Sequence, residues 1–112
     1  MNTKIYGQEG EILAKKYLVK NKYKIVETNY SCKIGEIDII AKDKDELVFI
    51  EVKARATKQF GLPREAVTDY KQNKIRMVAQ FYLQTIQNFD CKCRFDVIEI
   101  LDKKVNHIIG AF

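Results

Sequence analysis

Several things are scarce in this chain of 112 residues, and each shortage narrows what it can be. No apolar run approaches the roughly 18 residues that a membrane-spanning helix needs, so no span is expected. The first residues, Met1-Asn2-Thr3-Lys4-Ile5-Tyr6-Gly7, contain no apolar segment of a secretory leader, and the cytoplasm is the expected location. Cysteine is limited to Cys32, Cys91 and Cys93. The number is odd, and Cys91-x-Cys93 is too tight for a Cys-x-x-Cys zinc or redox hairpin, so reduced structural thiols are expected. The single histidine, His107, has no nearby signal for a Ser-His or Cys-His hydrolase, which leaves the role of a strand residue. No internal repeat, low-complexity tract or linker divides the chain. Its length suits one domain, residues 1–112, able to bury a core without staples.

What is present is ordinary in bulk and uneven in detail. Hydrophobic residues at 46% and charged ones at 31% place the chain among soluble globular domains. Against 15 Asp+Glu stand 20 Lys+Arg, a net charge of +5. Several of the acids are candidates for holding a cation, which would make the working surface more positive. A phosphate-bearing partner is consistent with that balance, although many soluble proteins share it without one.

The informative stretch is Gly35-Glu36-Ile37-Asp38-Ile39-Ile40 followed by Phe49-Ile50-Glu51-Val52-Lys53. Both segments have strand character. The period of two sends Glu36, Asp38 and Ile40 to one face, with Ile37, Ile39 and Ala41 on the other. On the second strand Glu51 and Lys53 share a face opposite Val48, Ile50 and Val52. The polar, glycine-free Lys42-Asp43-Lys44-Asp45-Glu46 joins the two. With Lys44-Asp45 as a two-residue hairpin loop, Asp43 pairs with Glu46, and counting back sets Asp38 opposite Glu51 and Glu36 opposite Lys53. Directly opposite residues lie roughly 4.5–5.5 Å apart at Cβ. Two carboxylates that close repel unless a proton or cation lies between them, and clustered carboxylates suit a hard divalent ion. A slip of one residue would separate them.

The remaining pattern builds an α/β domain around that hairpin. Residues 8–20 read as a helix, with Gly7, Gly10, Leu13, Ala14, Tyr17 and Leu18 on one arc. Glu11 lies at the edge of that arc, where a boundary acid or a first-turn acid favoured by the helix dipole is the plain explanation. Residues 23–30 read as a strand, then Gly35 supplies backbone freedom before the acidic strand. The hairpin is expected in the middle of the sheet. Residues 54–64 have loop composition, with the only proline, Pro63, and the bases Arg55, Lys58 and Arg64. Loops so placed often carry function, though solvated charge is the common reading. Residues 68–86 read as a second helix, capped by Thr68, with Ile75, Val78, Ala79 and Tyr82 on one stripe. Lys71, Lys74 and Arg76 gather charge in its first half, either for phosphate or as a wet face. Residues 94–100 form a strand, expected parallel to 46–54 through a right-handed crossover, and 105–109 a further one.

Asp38 and then Glu51-Val52-Lys53, on a helix–strand–strand–strand–helix–strand order, resemble the PD-(D/E)XK nuclease superfamily, and within it the YraN-like family of small bacterial proteins. The likeness also covers Gly7-Gln8-Glu9-Gly10-Glu11 with Ala14 and Tyr17-Leu18, Phe60-Gly61 with Glu65-Ala66-Val67, Arg94-Phe95-Asp96-Val97, and His107-Ile108 before Ala111-Phe112. The short Glu-x-Lys element is weakly specific alone; the acids, their spacing and the distributed matches together are strong. Ile37 stands where the superfamily has proline, and the Gln-x-x-x-Tyr signature of RecB-type nucleases is missing from the second helix.

The resemblance implies a three-layer, restriction-endonuclease-like core of order α-β-β-β-α-β(-β) with a central mixed sheet. Through archaeal Holliday-junction resolvases it also implies a role for the first-helix acid. Glu11, Asp38, Glu51 and Lys53 would form the catalytic set of an endodeoxyribonuclease, selective for branched or junction DNA. Asp38, Glu51, the carbonyl of Val52 and Glu11 would hold Mg²⁺ or Mn²⁺. Lys53 would position or deprotonate water, or stabilise developing charge. Arg55, Lys58, Arg64, Lys71 and Lys74 would contact phosphates, and Glu36 would give secondary support. DNA is the implied partner. A homodimer would follow if both strands of a junction are cut, since that needs two centres. The alternative is a nucleic-acid-binding or scaffold protein that keeps the fold with little or no catalysis.

Overall fold

The computed structural model describes residues 3–55, 67–88 and 90–112. Its first helix, α1 (Thr3–Lys20), begins before residue 8, where the sequence pattern predicts it. The difference has a simple origin. Once a helix has nucleated, extending it through one glycine costs only about 1 kcal/mol. Gly10, Ala14 and Leu18 line its buried face. A Cβ at Gly10 would stand 2.8 Å from the Cβ of Ala54, so this glycine sets how closely the helix approaches the sheet.

Five strands follow in one sheet: β1 (Lys24–Ser31), β2 (Glu36–Asp43), β3 (Glu46–Arg55), β4 (Cys93–Leu101) and β5 (Lys104–Ile108). They lie side by side in chain order, with β3 central. β1–β2, β2–β3 and β4–β5 are antiparallel, while β3 and β4 run parallel. The parallel pair needs a crossover, supplied by α2 (Asp69–Thr85). The sheet is mixed, and the order α-β-β-β-α-β-β is consistent with a restriction-endonuclease-like core. No helix among the described residues is long and apolar enough to cross a membrane.

The two helices cover opposite faces, and strand alternation sorts side chains between them. Toward α1 lie Ile39, Ala41, Val48, Ile50, Ile98 and Ile100, packed with Ala14 and Leu18. Toward α2 lie Ile40, Leu47, Phe49 and Val97, packed with Ile75, Val78, Ala79 and Tyr82. Ile37 departs from the expected alternation. It packs in the α2-side cluster with Ile40, not with Ile39 and Ala41. The break falls where β2 parts from β3, the last paired residues being Ile39 and Ile50. By register Asn29 of β1 faces Asp38 there, and its φ of 52° interrupts the extended backbone.

A second polar cluster occupies the α1 side, toward the opposite end of β3 and β4. Asp96, fully buried, accepts from Arg94, from the main-chain N–H of Gly110 at 2.9 Å, and pairs with His107 Nε2 at 2.7 Å. Tyr17 meets the other ring nitrogen of His107 at 3.0 Å. Arg94 also donates to Asp43, Glu46 and the hydroxyl of Tyr23. Burial alone would raise the Asp96 carboxyl, but hydrogen bonds from His107 and Arg94 hold it below its ordinary range. His107, read from sequence as a strand residue, thus braces the C-terminal hairpin against α1.

Candidate metal centre

The hairpin register is as the turn count requires: Asp43 pairs with Glu46, and the ladder runs to Ile39 opposite Ile50. One step further the turn count would set Asp38 across from Glu51, and the paired ladder ends just before it. There the ladder changes character. The main-chain N–H of Val52 donates to Asp38 Oδ2 at 2.8 Å. By the alternation of an antiparallel pair, a continuing ladder would have delivered that bond to the carbonyl of Ile37. The Asp38 carboxylate therefore sits in the wedge between diverging strands. Main-chain N–H and C=O of one strand residue point to the same side, so the Val52 carbonyl is aimed at the same wedge.

Glu51 is buried, with only 6% of its surface exposed. The Asp38 carboxyl is raised to about 7: burial is the largest cause, the negative charge of Glu51 adds to it, and the Val52 hydrogen bond opposes both. Glu11, half-buried on α1, adds a smaller push in the same direction, so it lies within electrostatic reach of Asp38. Among the described residues no group of three or more His, Cys, Asp and Glu side chains is close enough to hold a metal ion. The acid core is a pair, with Glu11 outside it.

Two lysines close on this pair. Lys53 Nζ lies 3.6 Å from Glu51 Oε1, and Lys71 Nζ lies 2.7 Å from the same oxygen. Burial lowers the Lys53 ammonium, the adjoining Lys71 lowers it further, and the Glu51 charge resists. Burial would lower Lys71 as well, but the hydrogen bond to Glu51, the charge of Glu51 and smaller contributions from Lys53 and Asp38 together outweigh this and leave it raised. Lys71 is held in the first turn of α2, where its main-chain N–H donates to the capping hydroxyl of Thr68 at 3.2 Å.

The sequence reading assigned Lys71 to phosphate contact, whereas its side chain reaches the acids themselves. The signal was available. Lys71, Ile75, Val78, Ala79 and Tyr82 follow helical spacing on one stripe, so the buried face of α2 carries Lys71 onto the sheet. Arg55 is mostly buried and pairs with Glu99, Nε to Oε2 at 3.5 Å. Glu99 neighbours Lys53 across the parallel ladder, and its buried Oε2 has no hydrogen bond among the described residues. Sequence reasoning passed over Glu99, although its parity with Val97 puts it on the Lys53 face. Lys74 rests over the ring of Tyr70, 5.6 Å from the centroid. Glu36 is exposed, and the carboxylate recorded beside Lys53 is that of Glu51. Lys58 and Arg64, with Phe60, Gly61, Glu65 and Ala66, lie outside the described residues.

Asp38, Glu51 and the Val52 carbonyl are the groups here that could hold a divalent ion, since Mg²⁺ is commonly bound through one or two carboxylates with several retained waters. The ammonium groups of Lys53 and Lys71 show that the buried Glu51 already draws positive charge from its own chain.

Comparison with known proteins agrees with the resemblance drawn from the motifs. Residues 10–100 match the model of the uncharacterised protein family UPF0102, which is the YraN family. A UPF0102 protein of Clostridioides difficile is 48% identical over 100% of both chains. One of Caldanaerobacter subterraneus is 47% identical, covering 100% of this chain and 98% of its own. Another, of Thermodesulfovibrio yellowstonii, is 47% identical over 95% of this chain and 94% of its own. This chain belongs to the family UPF0102.

Proposed function

We propose that this protein is a metal-dependent DNA endonuclease that hydrolyses phosphodiester bonds, selective for branched or junction DNA. The observation that carries the reading is the convergence of Asp38, Glu51, Lys53 and Lys71 at the carboxyl end of β3. Asp38, Glu51 and the Val52 carbonyl would hold Mg²⁺ or Mn²⁺, with Glu11 approaching through water. A bound ion of this kind polarises a scissile phosphate and makes a coordinated water more acidic. Lys53, whose ammonium is lowered by burial and by Lys71, is suited to orient that water and to carry its proton. Arg55, buried against Glu99, would steady the end of β3, leaving Lys74 with Lys58 and Arg64 for the phosphate backbone. Cleaving both strands of a junction would require two such centres, and hence a homodimer.

A binding or scaffold role without turnover is the second reading. It is favoured by Lys71 lying directly on Glu51 and by the acid core being a pair. One assay separates the two. Purified protein is incubated with duplex, flap, single-stranded and four-way junction DNA, with Mg²⁺ or Mn²⁺ and with EDTA. The nuclease reading expects metal-dependent cuts that disappear in Asp38→Ala and Lys53→Ala. Binding without cleavage, unchanged in those variants, would sink it. Binding should also weaken steeply with salt through counterion release.

A further inference from the structure

We propose that Lys71 is a resident counter-cation of Glu51, and that a divalent ion reaches the Asp38–Glu51 pair by displacing it. The inference rests on the metal reading above and concerns how that site is opened. Both lysines address one oxygen, Glu51 Oε1, but at unequal range: Lys71 at 2.7 Å and Lys53 at 3.6 Å. An ion bound to that oxygen at about 2.1 Å would have the Lys71 ammonium against it, two like charges on one atom. One of the two must leave, and the structure indicates which. The Glu51 side chain is 7% exposed, whereas that of Lys71 is 42% exposed. Lys71 therefore reaches the acid from the solvent side on a flexible stem, anchored by the Thr68-capped turn of α2. It can swing out without moving backbone. Lys53, 27% exposed and 3.6 Å from the same oxygen, stands farther back and can stay.

The displacement has a definite signature. Without metal, Lys71 relieves the repulsion between two opposed carboxylates, so the centre is closed by a contact of its own chain. With metal, that ammonium is released beside the ion.

Binding of Mn²⁺ to the full chain, without nucleic acid, is measured from the loss of the free-ion paramagnetic resonance signal. The wild type is compared with Lys71→Met and with Lys16→Met, an exposed lysine of α1. Removing the competitor should tighten Mn²⁺ binding about tenfold, equal to ~1.4 kcal/mol, in Lys71→Met, with less than a roughly twofold change in Lys16→Met. In wild-type protein with ¹³C-methylated lysines, the Lys71 methyl resonance should move as Mg²⁺ is added, with the midpoint of ion binding. This second readout does not depend on a variant folding. Equal or weaker Mn²⁺ binding by Lys71→Met, equal tightening by Lys16→Met, or a stationary Lys71 resonance would overturn displacement and leave the metal reading standing. Absence of Mn²⁺ binding by every form would overturn both.

Discussion

The Asp38 carboxylate takes the main-chain N–H of Val52 at 2.8 Å, at the point where β2 and β3 stop pairing. That single bond explains how the Asp38 carboxylate is held in the wedge between the strands, in place of a further ladder bond. It leaves the edge of β3 facing the gap. Several consequences can be measured.

Stability of the metal-free protein should fall as pH rises toward neutrality. Asp38 has its carboxyl raised to about 7 in the folded chain, so its contribution is complete below the unfolded carboxylate value and lost as pH climbs through 7. Each unit of that displacement corresponds to ~1.4 kcal/mol. Asp96 acts oppositely, since its lowered carboxyl adds stability at higher pH that disappears on acidification. Urea melts across pH 4–8 should therefore show stability highest at the acid end, about pH 4, and falling toward 7. Asp38→Asn should flatten the neutral limb, and Mg²⁺ should raise the wild-type limb by mass action.

Gly10→Ala should cost roughly 1–3 kcal/mol, because the new methyl would lie 2.8 Å from Ala54 Cβ. Neither group can rotate away. Ala54→Gly added to it should recover part of the loss, and a double-mutant cycle from urea denaturation reads the coupling.

Asp96→Ala should destabilise by about 3–5 kcal/mol, since it removes the buried carboxylate that Arg94 Nε, His107 Nε2 and the Gly110 N–H share. The cluster lies on the α1 side, away from the acid pair, so Mn²⁺ affinity of the folded fraction should be unchanged. Chemical denaturation and ion titration on one preparation check both halves.

The β4–β5 turn offers a gain. Asp102 and Lys103 have φ of 50° and 64°, a pair of left-handed residues of the kind that favours Asp-Gly. Lys103→Gly should raise stability by roughly 0.5–1 kcal/mol, visible as a higher melting temperature.

Much of this molecule follows from local pattern. Period-two alternation and a two-residue turn put Asp43 against Glu46 and, counting back, Ile39 against Ile50. Thr68, Asp69 and the stripe from Ile75 to Tyr82 place α2, whose length between two strands requires the parallel crossover. Such features are legible because hydrogen-bond geometry and burial act over a few residues. The tertiary structure decided the rest. Whether Ile37 obeys its alternation depends on where β2 leaves β3, which no single strand encodes. His107 becomes a brace only when β5 brings it to Asp96 and α1 brings Tyr17. Lys71 becomes a partner of Glu51 because the crossover lays the first turn of α2 over the end of β3. Those meetings depend on packing between elements far apart in the chain, where the distance between two charges, not their presence, sets the chemistry.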